Sequence, residues 1–286
     1  MLFEQTLGVP AHPGGLLVDD PALTVGVVQM TSRNDGLEID LVARRGQPAP
    51  PAERRLLPAY DEGVDLRVGW LDANGRAHWE YGSIADDGST HRTRVVLPAQ
   101  FDRLDLVLAW PEIGFPEHSS SFAVPSRAEA ERGVVSIWEA PVDMAPVPGG
   151  VRDSEGDDDL EPPPLEAGRL CAAPRVLARD RDGVVVLSRL TAVGSTLAMA
   201  VESFARIAAD APGDWGASIA VLRDRSAVRL AAYEGEAGGG ADGYHARTEY
   251  VVARPSGDVL DLVVRWPAAG LAGVRVTVPL EDAVSR

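Results

Sequence analysis

The chain has 286 residues, 45% of them hydrophobic and 24% charged, the balance of a globular protein long enough for two cores of ordinary size. Asp and Glu outnumber basic residues 43 to 27, and a net charge of −16 argues against a nucleic-acid partner, since phosphate contact needs a basic surface. Every basic residue is arginine, which excludes a lysine-dependent phosphate loop, a Schiff-base lysine and a Ser–Lys nucleophile pair. Apolar runs are too short to cross a bilayer, so no membrane insertion is expected. Met1-Leu2-Phe3-Glu4-Gln5 has neither a basic start nor a long apolar core, and Cys171 is the single cysteine. Both features point to a cytoplasmic protein without an internal disulfide.

In chain order, Val25–Thr31 and Leu37–Arg44 read as paired strands joined through Ser32–Gly36. Leu66, Val68 and Trp70 then alternate with polar residues, as do Ala77, Trp79 and Tyr81 after Asp72-Ala73-Asn74-Gly75. Asn-Gly between alternating runs is a strong hairpin signal. With Asn74-Gly75 as a two-residue loop, Trp70 falls opposite Trp79 and Val68 opposite Tyr81, all on one face. Leu104–Trp110 is a further strand, stopped by Pro111. Ser126 and Glu129 form a capping box for a short helix. Val134–Ala140 faintly echoes Leu2–Thr6, and both are expected as the first strand of their units.

Pro146–Gly168 carries Asp157-Asp158-Asp159 and Pro162-Pro163-Pro164; seven acidic residues between Val151 and Gly168 face one arginine, so a mobile insertion is expected. Its acidic run lacks the alternate ligand positions, central glycine and distant Glu of an EF-hand loop. Val184–Leu190 pairs with Leu197 onward. That second segment also fits an amphipathic helix capped by Ser195.

The repeat decides for strand. Leu104-Asp105-Leu106-Val107-Leu108-Ala109-Trp110-Pro111 recurs as Leu260-Asp261-Leu262-Val263-Val264-Arg265-Trp266-Pro267, and Leu37–Val42 lines up with Leu197–Glu202. The offset drifts only between 160, 152 and 156, as loop-length changes produce. A unit this long is a domain. The expected fold is all-β: a tandem duplication of an antiparallel β-sandwich, with domain one at 1–132 and domain two at 134–286.

Catalytic signatures are absent. No GxSxG elbow occurs, and His118 beside Ser119-Ser120-Ser121 reads as loop chemistry. Cys171 has apolar neighbours and no nearby His. The five histidines show no metal-ligand spacing, and Gly235–Gly243 lacks the strand–loop–helix context of a phosphate cradle. Domain one nevertheless holds side chains that domain two lacks: Trp70, Trp79 and Tyr81, and the loop residues Glu112, Phe115, Glu117 and His118. The expected reading is a non-enzymatic binding or scaffolding protein whose domain one recognises another protein through this set. Core packing is the competing reading of the aromatics.

Asp65–Asp72, His78-Trp79-Glu80-Tyr81-Gly82 and Leu106–Pro116 resemble hypothetical proteins of high-GC actinobacteria, a resemblance that supplies no functional residue. The chain is more loosely similar to calcium-binding tellurium-resistance proteins, which are also acidic β-sandwiches. Glu38 and Asp40 match their paired acids, whereas Ala198 and Ala200 do not. That resemblance implies calcium as an alternative, with Asp19, Asp20, Asp35, Asp86 and Asp87 as loop ligands.

Overall fold

The computed structural model describes residues 5–47, 49–86, 88, 90–155, 160–206, 216–240 and 243–281. These are built from antiparallel sheets, with one α-helix among the described residues. The chain divides into two compact units. The first comprises Gly8–Val134 with Pro164–Arg169; the second comprises Met1–Leu7, Val135–Pro163 and Leu170–Arg286.

The first unit contains β1 (Val9–His12), β2 (Gly15–Asp19), β3 (Leu23–Ser32), β4 (Leu37–Arg45), β5 (Arg67–Leu71), β6 (Ala77–Glu80), β7 (Ser83–Asp86), β8 (Thr90–Leu97), β9 (Arg103–Trp110) and β10 (Phe115–Ala123). Its larger sheet runs β1-β3-β4-β8-β7, with β2 also on β3; its smaller sheet runs β10-β9-β5-β6. The period of two directs Val25, Val27, Leu37, Ile39 and Leu41 from one sheet onto Val68, Leu104, Leu106, Leu108 and Trp110 from the other, forming one core. Helix α1 (Arg127–Gly133) starts at the expected capping box, with the Ser126 side chain accepting from the Glu129 amide and the Glu129 carboxylate accepting from the Ser126 amide.

The second unit contains β11 (Ala145–Pro146), β12 (Arg152–Glu155), β13 (Arg169–Ala172), β14 (Arg175–Arg179), β15 (Gly183–Val193), β16 (Thr196–Ala205), β17 (Ser218–Arg223), β18 (Ser226–Arg229), β19 (Ala232–Gly240), β20 (Gly243–Ala253), β21 (Val259–Trp266) and β22 (Leu271–Pro279). Its sheets run β13-β15-β16-β20-β19, with β14 on β15, and β11-β22-β21-β17-β18-β12. Remove β11 and β12, and the strand order matches that of the first unit element for element.

The irregularities match as well. The ladder of β3 on β4 skips between Val27 and Gln29, and that of β15 on β16 skips between Leu187 and Arg189. Both Trp-Pro corners end in a 3-10 turn, Pro111–Ile113 and Pro267–Ala269, closed by left-handed Gly114 (φ 87°) and Gly270 (φ 85°). Thr196–Ala205 is a strand whose helical period is overridden by pairing on both sides, with β15 and β20.

Three expectations are corrected. Val134–Ala140 is not the opening strand of a unit: Ser136 forms only an isolated bridge with Thr6, both residues belong to the second unit, and Leu2–Glu4 lie outside the described residues. The insertion is not strandless: among its described residues, Pro146 lies in β11 and Arg152–Glu155 form β12, on the two edges of a sheet. Its 3-10 helix Leu165–Ala167 belongs to the first unit, where it packs on β2, β3 and β4. Asp157-Asp158-Asp159 lie outside the described residues.

The third correction concerns the hairpin. Asp72 N donates to Arg76 O and Gly75 N to Asp72 O, a three-residue loop in which Gly75 alone takes positive φ, 75°. That is a type I turn closed by a left-handed glycine, and it shifts the register by one from a two-residue loop. The Asp72 carboxylate also accepts from the amides of Asn74 (2.8 Å) and Arg76 (3.0 Å). Trp70 therefore faces His78, and Gly69 faces Trp79.

Docking of the 3-10 helix depends on Gly26, where an added Cβ would lie 2.3 Å from the Glu166 Cα. Gly26→Ala is expected to destabilise the protein by about 1–3 kcal/mol, the usual cost of overpacking. Thermal unfolding monitored by circular dichroism measures it.

Candidate recognition surface

The smaller sheet of the first unit buries apolar side chains on its outer face too, beside polar ones such as Arg67, Arg103 and Asp105. Val107 and Ala109 point away from the core strip of β9, yet neither is exposed. Their face is covered by the long connection between β4 and β5, residues 46–66, and a set of charged groups fixes that connection.

Arg67, only 5% exposed, is the hub. Its guanidinium meets the Glu112 carboxylate in two bonds of 2.7 Å and donates to the carbonyls of Asp65 (2.8 Å), Asp61 (3.1 Å) and Gly63 (3.4 Å). The fork of an arginine suits such bidentate pairing. Burial disfavours charge on both partners, but their mutual bonds prevail, raising the Arg67 pKa and lowering that of Glu112. Arg54 adds a 2.8 Å bond to Glu112. Glu117 completes the anchorage by accepting from three consecutive amides, Arg55 (2.9 Å), Leu56 (2.7 Å) and Leu57 (2.7 Å). Glu112 and Glu117 thus hold the connection in place and are occupied internally.

What the connection presents is apolar and aromatic. Tyr60 is 87% exposed, Tyr81 78%, Val64 75% and Leu56 37%. The Tyr81 hydroxyl donates to Asp61 at 2.9 Å, a bond that raises the phenol's pKa. Trp79, half-buried, donates from Nε1 to the Leu56 carbonyl at 3.4 Å. Asp61 is itself 3.4 Å from Arg67. Exposed Tyr81, which follows β6, is thus tied to an anchored connection that exposes Tyr60, Val64 and Leu56, while the Asp61 carboxylate is occupied by Arg67 and Tyr81.

The sequence-derived set divides accordingly. Tyr81 and Trp79 belong to this surface. Trp70 does not: it points to the opposite face, packs against the core and stacks on His78 with ring centroids 4.6 Å apart. Phe115 is also a correction, because it is 1% exposed inside the core and offers no contact area to a partner. His118 sits on β10, 3.1 Å from the Ser120 hydroxyl. Leu56, Tyr60, Asp61 and Val64 were missed; the available signal was a strandless connection of some twenty residues carrying apolar side chains.

The loop aspartates implied by the calcium resemblance do not converge. Asp19 and Asp20 lie at the start of β3 and Asp35 beyond its end, separated by a ten-residue strand, about 33 Å. Asp87 lies outside the described residues, as does the side chain of Asp86. No cluster of three or more His, Cys, Asp or Glu suited to a metal occurs among the described residues. Asp40 pairs with Arg92 at 3.0 Å, and Glu38 lies 3.4 Å from Arg33.

The second unit buries a different ionic network. Arg189 pairs with Glu249 at 2.8 Å, and Arg247 reaches Glu249 at 3.4 Å and Glu202 at 3.6 Å. Burial opposes the charge of Glu202, but His245 Nε2 at 3.3 Å and the Arg247 charge hold its pKa at about 2. Cys171 is buried, its thiol donating to the Leu190 carbonyl at 3.4 Å.

Two outcomes follow. Phe115→Ala is expected to cost roughly 3–5 kcal/mol, as other core aromatics do, while Tyr81→Ala leaves the denaturation midpoint nearly unchanged. Because the folded pKa of Glu202 lies below its ordinary 4.5, its stabilisation is present above pH 4.5 and is lost as pH falls from 4.5 toward about 2. The full loss is about 3 kcal/mol for a shift of this size. Urea titrations across that window are expected to show Glu202→Gln flattening the acid dependence.

No protein-family model matches the chain, and no curated protein matches it. Among solved structures, a conserved domain protein from Bacillus anthracis aligns at a TM-score of 0.24 and 10% identity, over 95% of this chain and 92% of its own. A pullulanase from Anoxybacillus sp. LM18-11 aligns at 0.19 and 8% identity, over 88% of this chain and 24% of that one. Both similarities are too low to bear on fold or activity.

Proposed function

We propose that the protein is a non-enzymatic binding or scaffolding protein, a duplicated β-sandwich whose first unit carries the recognition surface. One observation carries this reading: Tyr60, Val64 and Leu56 are exposed on a connection that Arg67, Glu112 and Glu117 fasten, and exposed Tyr81 bonds to Asp61 of that connection. Exposed aromatics lose little conformational entropy on binding and are frequent anchors of protein interfaces. Preorganising the connection lowers the cost further.

Where shifts are resolved, burial opposes ionisation of Glu112, Glu202 and Asp261, yet their bonding partners drive all three pKa values down. Tyr81 moves up through its bond to Asp61, and burial pushes Tyr250 to about 12. The fitting partner is another protein with an apolar patch rimmed by basic residues, complementary to a chain of net charge −16.

Affinity capture from the native host with the full chain, wild type and Tyr60→Ala/Tyr81→Ala, tests the reading. The wild type is expected to retain a partner that the double variant loses at an unchanged melting temperature, with retention weakening but persisting as salt rises. Equal recovery by both proteins would place recognition elsewhere.

A further inference from the structure

The two units treat the edges of the β10-β9-β5-β6 sheet and of its counterpart, β22-β21-β17-β18, differently. In the second unit β12 lies parallel to β18 and covers that edge, while β11 pairs with Val274 and Arg275 in the middle of the β22 edge. In the first unit, β10 and β6 end the sheet among the described residues. β10 is nine residues long, and Ser119, Ser121 and Ala123 along it are exposed. Natural monomers guard such edges with charge, proline or cover. Here Pro116 stands only at the start, and the one carboxylate, Glu117, is held by the amides of Arg55, Leu56 and Leu57.

The direction of the free groups follows from the ladder. Val124 N donates to Asp102 O at 3.2 Å, one step beyond the Ala123–Arg103 pair. Alternation then turns the backbone groups of His118, Ser120 and Phe122 toward β9, and those of Ser119, Ser121 and Ala123 outward. The second unit shows the same parity: Leu280 N donates to Asp258 O, and Arg275, the positional equivalent of Ser119, is the residue that Ala145 of β11 faces. That strand position accepts an antiparallel partner within this very chain.

We propose that β10 pairs antiparallel with β10 of a second copy, joining two four-stranded sheets into one eight-stranded sheet across a two-fold axis at Ser120. Outward groups must meet outward groups, and an axis at Ser120 meets that condition, with Ser119 opposite Ser121 of the other copy and Ser120 opposite itself. His118 then faces Phe122, and Glu117 faces Ala123. No like charges oppose each other, and every side chain in the central turnless stretch is small. Serines form no pockets to read a foreign sequence, so recognition here is main-chain recognition, which a second copy meets with matched length and twist. The net charge of −16 on each chain opposes encounter, so pairing strengthens as salt rises. This surface is independent of the aromatic one.

Sedimentation velocity of the full chain over rising protein concentration tests the pairing. The wild type is expected to form a dimer that added salt tightens. A Ser119→Asp/Ser121→Asp variant and a Ser119→Arg/Ser121→Arg variant are each expected to dimerise about tenfold or more weakly, since like charges then face each other across the axis. Mixed in equal amounts, the two are expected to form a one-to-one pair. If either charged variant fails to fold by circular dichroism, Ser121→Pro replaces it: that substitution removes an outward N–H and leaves the β9 ladder intact. A wild type that stays monomeric, variants that dimerise like the wild type, or a charged mixture that forms no pair would each overturn the proposal.

Discussion

A strand with buried apolar side chains on both sides cannot leave either side in water, and this constraint governs the β10-β9-β5-β6 sheet of the first unit and its counterpart, β22-β21-β17-β18, in the second. One face of each meets the facing sheet of its unit in a shared core. The other, carrying Val107 and Ala109 in the first unit and Ala220, Ala227 and Val263 in the second, needs cover from elsewhere. At about 25 cal/mol per Å² of apolar surface, leaving such a face in water would remove a substantial share of a domain's small net stability.

The two units meet the constraint by different routes, and their differences follow from that. In the first, the connection between β4 and β5 folds over the sheet, fastened by the Arg67–Glu112 pair and by Glu117. Burying that ion pair is costly, so it carries specificity of position more than stability, and it is satisfied by additional carbonyls around the guanidinium. In the second, Val147 and Val151 of the inserted segment pack on the sheet while the flanking residues add β11 and β12 at its edges. The first solution lifts Tyr60 and Val64 to the surface and leaves β10 open. The second covers the β18 edge and the middle of the β22 edge.

Local turn chemistry explains where the sequence-derived surface was misplaced. Asn74-Gly75 signals a hairpin, but the signal does not specify how many residues the loop takes. Asp72 supplies side-chain acceptors that favour the longer turn, and one residue of register moves every side chain to the other face. Trp70 thereby joins the core while Trp79 and Tyr81 face outward. Trp-Pro-Glu-Ile-Gly-Phe is likewise ambiguous as a string: the left-handed Gly114 turns the chain so that Phe115 re-enters the core beside Trp110.

Much of the architecture was legible without coordinates. Alternation in Leu104–Trp110 and Leu260–Trp266, their terminal prolines and the register of the internal repeat determine an all-β chain of sandwich-type strands, because a period of two dictates which face each residue takes. The repeat even outweighed the helical pattern after Ser195. Tertiary structure alone decided what lies across the outer faces. The destination of the 46–66 connection depends on Arg67 finding Glu112 forty-five residues away, and Glu117 finding amides some sixty residues back. It also decided that part of the acidic insertion packs in the first unit and that Met1–Leu7 joins the second. Such pairings leave no periodic trace in a single sequence: they depend on which distant groups the sheets bring within hydrogen-bonding distance, and that is a property of the assembled fold.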